Sequence, residues 1–353
     1  MRCIDQHARP SFDRVATVRL SSQLFGKLTL TLALVLPRAA LANCTATSPC
    51  VDAEPLWLPP QPGRLLYVSD AAPTAAGTAS LSLAVLFRLR PAVLTVPAPN
   101  QSGRDVNVLR HATDASLGGS FGIGDRLELT WVLPAGLYQR GAGIKGVTHQ
   151  SADPIAPTTL HDPRLGFGYA LPWRSRALSA KLRFEAKLPL GNEAALSGEP
   201  SAVASPSLAL SASHGGFFSG LELGPRLRRP SSVFGVRVGS QLLIAGGAGY
   251  ELKKPRLAFA LQAYLLPSLV DSGSPRYLPA EWLASVRFAP GSFAFGVAGG
   301  GGLPFSGDAG GSSLAFGVPS FRAALFAQYV PQRSDAHSHG YVPQGEVDRR
   351  ARR

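Results

Sequence analysis

The chain has 353 residues, of which 45% are hydrophobic and only 16% charged, with 38 Gly and 30 Pro. That composition disfavours long helices and suits short strands joined by turns, and no apolar run outside the N-terminus approaches the roughly 18 residues a membrane-spanning helix needs. The net charge of +13 is scattered along the chain rather than gathered with stacking aromatics, which argues against a nucleic-acid partner; the densest basic run, DRRARR, is the last six residues.

Residues 1–42 read as a secretory signal peptide. Basic Arg14, Arg19 and Lys27 precede the apolar run Leu28–Leu36, Pro37 breaks it, and Ala40, Leu41 and Ala42 give a small-x-small cleavage pattern. Export leaves Cys44 and Cys50 as a candidate disulfide in an oxidising compartment. Two cysteines do not make a structural zinc site, which wants four ligands. Residues 43–76, rich in Pro and Ala with LWLPPQPG at their centre, read as an irregular periplasmic lead-in.

A regular rhythm begins near Gly77. In SLSLAVLFRLR, residues Leu81, Leu83, Val85, Phe87 and Leu89 share one parity, as one face of a strand requires. A polar loop leads to a weaker strand, residues 108–121, and a tight GIGDR turn to LELTWVLPAGLY. After a long loop come RLGFGYAL, a PWRSR turn, and KLRFEAKLPLG, where Leu182, Phe184, Ala186 and Leu188 alternate with Lys181, Arg183, Glu185 and Lys187. The second half repeats the pattern through SLALSAS, FFSGLELGPRL, FGVRVGSQLLIAGGAGY, RLAFALQAYLL, EWLASVRFA, FAFGVAG and FRAALFAQY. The connections alternate between long loops and tight turns. An all-β, transmembrane, antiparallel up-and-down barrel of about twelve strands sorts its connections this way, and a soluble sandwich has no reason to.

Two further patterns fit a barrel over residues 77–329. Phe121, Trp173, Phe217, Tyr250, Phe288, Phe293 and Tyr329 gather at the tight-turn ends, as an interfacial girdle would. The oily parity carries essentially no charge. The other parity carries Arg88, Arg90, Lys181, Arg183, Lys187, Arg226, Arg237, Arg287 and Arg322 against Glu128, Glu185, Glu222 and Glu281. These are the expected lumen-lining residues. They either pair with one another in a filled barrel or line a pore that prefers anions, unless loops or the lead-in segment plug it.

The stretches DPRLGFGYAL, KLRFEAKLPLG, VGSQLLIAGGAGYELKKPRLAFALQAYL and FRAALFAQY resemble the outer-membrane β-barrel found ahead of OmpA-type periplasmic domains in Gram-negative bacteria. They are also similar to transporter-like and toluene-channel-like barrels. The resemblance implies an outer-membrane location. The OmpA-type periplasmic domain of that family has no counterpart here: residues 330–353 are short and polar and read as a disordered basic tail, so the anchoring role of that domain does not carry over.

Searches for other chemistry give little. HSH at residues 337–339 is a poor metal site, and the Gly-rich run at residues 299–311 lacks the Lys and Ser/Thr of a phosphate loop. His149 and Ser151 are a candidate hydrolase pair, but the Asn that would orient the His is missing. The expectation is therefore a monomeric, non-enzymatic outer-membrane pore or transporter for small, anionic solutes, with no catalytic residue, metal or cofactor. Its partners are outer-membrane lipid and the barrel-assembly machinery, and nucleic acid is not among them. A structural or surface-interaction barrel with a filled lumen is the alternative, and a phospholipase-like hydrolase a distant one.

Overall fold

The computed structural model describes residues 50–96, 104–143, 155–172, 177–233, 236–252, 254–269, 278–304 and 314–331. Twelve long strands dominate them. In chain order they are β1 (Ala79–Val96), β2 (Arg104–Ile123), β3 (Leu127–Arg140), β4 (Arg164–Ala170), β5 (Leu178–Lys187) and β6 (Val203–His214). The second half adds β7 (Phe217–Arg226), β8 (Gln241–Leu252), β9 (Leu257–Leu265), β10 (Ala280–Phe288), β11 (Phe293–Gly302) and β12 (Phe321–Tyr329). Each pairs antiparallel with its sequence neighbours. The sheet closes where β1 meets β12, from Leu81 opposite Tyr329 to Leu89 opposite Phe321. Closure leaves no open edge, so every spanning strand has its backbone groups paired.

The tight turns follow from local chemistry. His214 and Phe217 pair across Gly215 and Gly216, whose φ values of 63° and 115° suit glycine in a two-residue hairpin. Most strands after β3 are seven to twelve residues long, close to what a tilted bilayer crossing needs. β1 and β2 run on past the others at the long-loop end, where the backbone of residues 314–316 pairs with Ala92–Leu94.

The outside of the barrel is apolar. Leu83, Leu133, Phe167, Leu261, Phe295 and Leu325 all stand exposed on it. At the turn end Phe217 meets Tyr250 edge to face at 4.7 Å and Phe293 lies tilted against Tyr329 at 5.3 Å, with Phe121 and Phe288 exposed at the same level. The expected aromatic girdle forms, although Trp173 lies outside the described residues. The inside, by contrast, carries buried charge, and something fills it.

Residues 50–76 run inside the barrel. They stand within it, not ahead of it as the lead-in expectation has it. Asp52 lies beside Lys187 and Ala53 bonds Leu196, both at the long-loop end. The chain descends past Pro60, whose carbonyl accepts from Ser82, to Arg64 beside Ser213 and Glu251 at the turn end. It then doubles back so that the Leu66 and Tyr67 amides reach Gln262 midway up β9. It descends again through Ser69 and Ala71 to Thr74, which bonds Glu128 near the turn end, and enters β1. This segment is called the plug below.

Candidate functional site: the plugged lumen

Two kinds of contact hold the plug. Its second half is packed. Leu65, Leu66, Tyr67 and Val68 join Leu86, Phe218, Leu243, Tyr264, Leu283 and Phe326 in one buried apolar cluster. Small wall residues make room for it: a Cβ on Gly220 would lie 2.9 Å from Leu65 Cδ1 and 3.0 Å from Val68 Cγ1. So the side of the lumen formed by β8 to β12 is largely oily, which the charge count along the strands does not suggest.

The first half of the plug adds Leu56 and Leu58 to that same cluster, and it is held by charge as well. Glu54 accepts from Arg322 at 2.9 and 3.1 Å and faces Arg88 Nε at 3.1 Å. Arg88 in turn holds Asp114 at 2.7 Å and donates to the Ala53 carbonyl at 3.0 Å. Arg322 also holds Glu281 at 2.8 Å, and Glu281 accepts from Tyr264. Asp52 pairs with Lys187, which has Asp162 and Glu199 at 3.6 and 3.7 Å. Arg226 donates to the Pro55 carbonyl and Arg164 to the Leu58 carbonyl. Both guanidiniums lie against the Trp57 ring, at 4.5 and 5.0 Å from its centroid. Lys181 reaches Gln61 at 2.7 Å and Glu128 at 2.8 Å.

Of the expected lumen-lining residues, Arg88, Glu128, Lys181, Arg183, Glu185, Lys187, Glu222, Arg226, Glu281 and Arg322 are buried inside the barrel. Arg183 bridges Glu222 and Glu185 within that wall. Arg287 is half-buried near the turn end and donates to Gln328. Two expectations are corrected. Arg90 is exposed and pairs with Asp105 outside the lumen, because a register shift between Leu89 and Ala92 flips its parity. Arg237 is exposed as well. Its segment, residues 236–238, leaves the barrel to pair with residues 231–233, and β8 starts only at Gln241. Cys50 is in a disulfide; Cys44, His149 and Ser151 lie outside the described residues.

Several residues at the centre of the site were not singled out from sequence: Asp52, Glu54, Trp57, Asp114, His161 and Arg164. The plug did carry a signal. Leu56, Trp57, Leu58, Leu65, Leu66, Tyr67 and Val68 are too oily for a solvated linker.

His161, ahead of β4, sits between Asp52 at 3.5 Å and Asp114 at 3.2 Å. Burial opposes its charge, but the two carboxylates outweigh burial and hold the imidazole up at about 9. Beside it, burial raises the Asp162 carboxyl to about 6 against the pull of Lys187. Asp162 accepts from the amides of Leu190, Gly191 and Glu199, so it also folds the loop over the plug's entrance.

Little space is left between plug and wall. A void of about 40 Å³ lies among Glu54, Trp57, Asp114, His161 and Lys187. Another of about 20 Å³ lies under Trp57 beside Ser69, Arg183, Glu222 and Arg226. Each has room for only one or a few waters. A recess of about 360 Å³ opens at the turn end between Gln61, Asp70, Ala72 to Ala75 and Val330.

No protein-family profile and no curated protein matches this sequence. Solved structures do. The barrel is similar to the COG4313 outer membrane channel from Pseudomonas putida F1, with a TM-score of 0.54 at 14% identity over 74% of this chain and 98% of that one. The NanC porin aligns with a TM-score of 0.45 at 10% identity over 71% of this chain and 100% of that one. The KdgM porin aligns with a TM-score of 0.41 at 9% identity over 72% of this chain and 100% of that one. At these identities the likeness is one of fold: the closed barrel of bacterial outer-membrane proteins.

Proposed function

We propose that the chain is a bacterial outer-membrane channel for small anionic solutes, closed by the first half of its own plug, with the tight turns facing the periplasm and the long loops facing out. One observation carries this reading: most wall cations that grip the plug also have a carboxylate of their own. Arg88 has Asp114, Arg322 has Glu281, Lys181 has Glu128, Arg164 has Glu185, and Lys187 has Asp162 and Glu199. Residues 52–61 can therefore leave without stranding most of the buried charge, and a wet, charged path opens behind them. Leu65, Leu66, Tyr67 and Val68 keep the rest in place, while Leu56 and Leu58 leave the same apolar cluster when the first half withdraws.

A filled, structural barrel is the second reading, favoured by that same apolar cluster. Planar-bilayer conductance separates the two. The intact protein is expected to be mostly closed, and a variant lacking residues 52–62 to conduct steadily, with anions preferred over cations. A deletion variant that folds, shown by its heat-shifted migration, yet passes no ions would leave only the filled barrel.

A further inference from the structure

Resting on the channel reading, we propose that the wall site now filled by Asp52 and Glu54 recognises a linear dicarboxylate solute, and that the plug closes the barrel by imitating that solute. The site begins at the seam. Arg88 and Arg322 are direct partners across β1 and β12, and both are fully buried. Two like charges set opposite each other repel. Asp114 and Glu281 offset each of them from the wall, and Glu54 joins the two, forked on Arg322 with both oxygens and reaching Arg88 Nε with one. A second station stands beside it, where Lys187 and His161 hold Asp52. These are two carboxylate seats, occupied by residues two apart in an irregular segment rather than by the barrel.

A third group adds a wall cation with no ion-pair partner among the described residues. Arg226 is 2% exposed, and its Nε has no hydrogen-bond partner. Its guanidinium donates to the Pro55 carbonyl and lies against the Trp57 ring, and no carboxylate forms an ion pair with it among the described residues. An anion entering past Trp57 would meet this unmatched cation and then the two carboxylate seats. The plug is tethered, so a solute competes with a local concentration on the order of millimolar. Half-maximal opening is accordingly expected in the millimolar range.

The test uses the intact protein with straight-chain dicarboxylates from succinate to suberate, with butyrate and inorganic phosphate as comparisons. Conductance in planar bilayers reads opening, and Trp57 fluorescence, identified with Trp57→Phe, reads binding. One chain length is expected to raise open probability about tenfold over butyrate, a difference of about 1.4 kcal/mol. The same compound should give a saturable fluorescence change. Glu54→Gln should open without solute and lose the length preference; if it fails to fold, Glu54→Asp, which keeps the charge but shortens the reach, should shift the preferred length. Channels that open equally with butyrate, phosphate and every dicarboxylate overturn the dicarboxylate site and leave the channel reading standing. A folded protein closed under all conditions, with the deletion variant closed too, overturns the channel reading. Fluorescence then decides the site alone: saturation by a dicarboxylate upholds it and a flat response removes it.

Discussion

A charge buried in this lumen survives by being shared. Removing one member of a buried pair typically costs about 3–5 kcal/mol, because the survivor is left desolvated and alone. Here Glu54 serves both seam arginines and Glu281 serves Arg322 and Tyr264, so single substitutions should cost less than that range. His161 allows a sharper expectation, since it lies in the loop ahead of β4. Its pKa of about 9 in the folded protein exceeds the 6.5 of a free imidazole. A cation whose pKa is raised by folding stabilises fully below the unfolded value and loses that contribution as pH rises through the folded one. The shift corresponds to about 3 kcal/mol. Resistance to urea unfolding in vesicles should therefore weaken as pH climbs from 6.5 through 9, and His161→Asn should flatten that slope. Asp162 acts in a lower window. Its raised pKa of about 6 withdraws stability as pH rises from 3.8 toward 6, so the two titrations do not overlap. A slope unchanged in His161→Asn would mean the imidazole is not the charged bridge between Asp52 and Asp114.

The plug is an element without secondary structure, and its prolines explain how it tolerates the lumen. Pro55, Pro59, Pro60 and Pro62 bring no amide hydrogen to be satisfied. Many of the remaining donors find side chains: Leu66 and Tyr67 use Gln262, Ser69 uses Glu222, and Thr74 uses Glu128. Its seat on the wall depends on Gly118 in β2, where a Cβ would lie 2.8 Å from the Pro60 carbonyl oxygen. Gly118→Leu should push the plug off its seat by roughly 1–3 kcal/mol, the usual cost of overpacking. Faster trypsin cleavage at Arg64, with the barrel intact, is the expected signature. Gly246→Ala, whose new Cβ would meet nothing closer than 3.8 Å, should cut at the parent rate. The strands were readable from parity because a barrel wall has only two faces, and that logic also found most of the buried charges. It failed at Arg90 and Arg237, where a bulge and a separate hairpin break the two-residue period. It could not reach the plug, since an irregular segment has no period to read. Only its oil, its prolines and the paired acids Asp52 and Glu54 set it apart from a linker.

The barrel as a body is inverted relative to a soluble protein, with leucine and phenylalanine outside and ion pairs within. That inversion makes the solvent around it testable one residue at a time. Leu325 stands 62% exposed at the middle of β12. If lipid surrounds the wall, Leu325→Arg places a cation near the bilayer midplane and should cost about 2–4 kcal/mol. Leu178, 48% exposed at the turn end of β5, lies near the interface, where the same substitution should cost about 0–1 kcal/mol. Water around the wall would reverse the logic, because an exposed Leu→Arg change in a soluble protein rarely moves stability by more than about 0.5 kcal/mol. The depth dependence is therefore the measurement that matters. It is read from urea unfolding of both variants in phospholipid vesicles. A penalty at Leu325 several times that at Leu178 is expected from a lipid-facing wall, whereas equal and small penalties would move the barrel out of the membrane and take the channel reading with it.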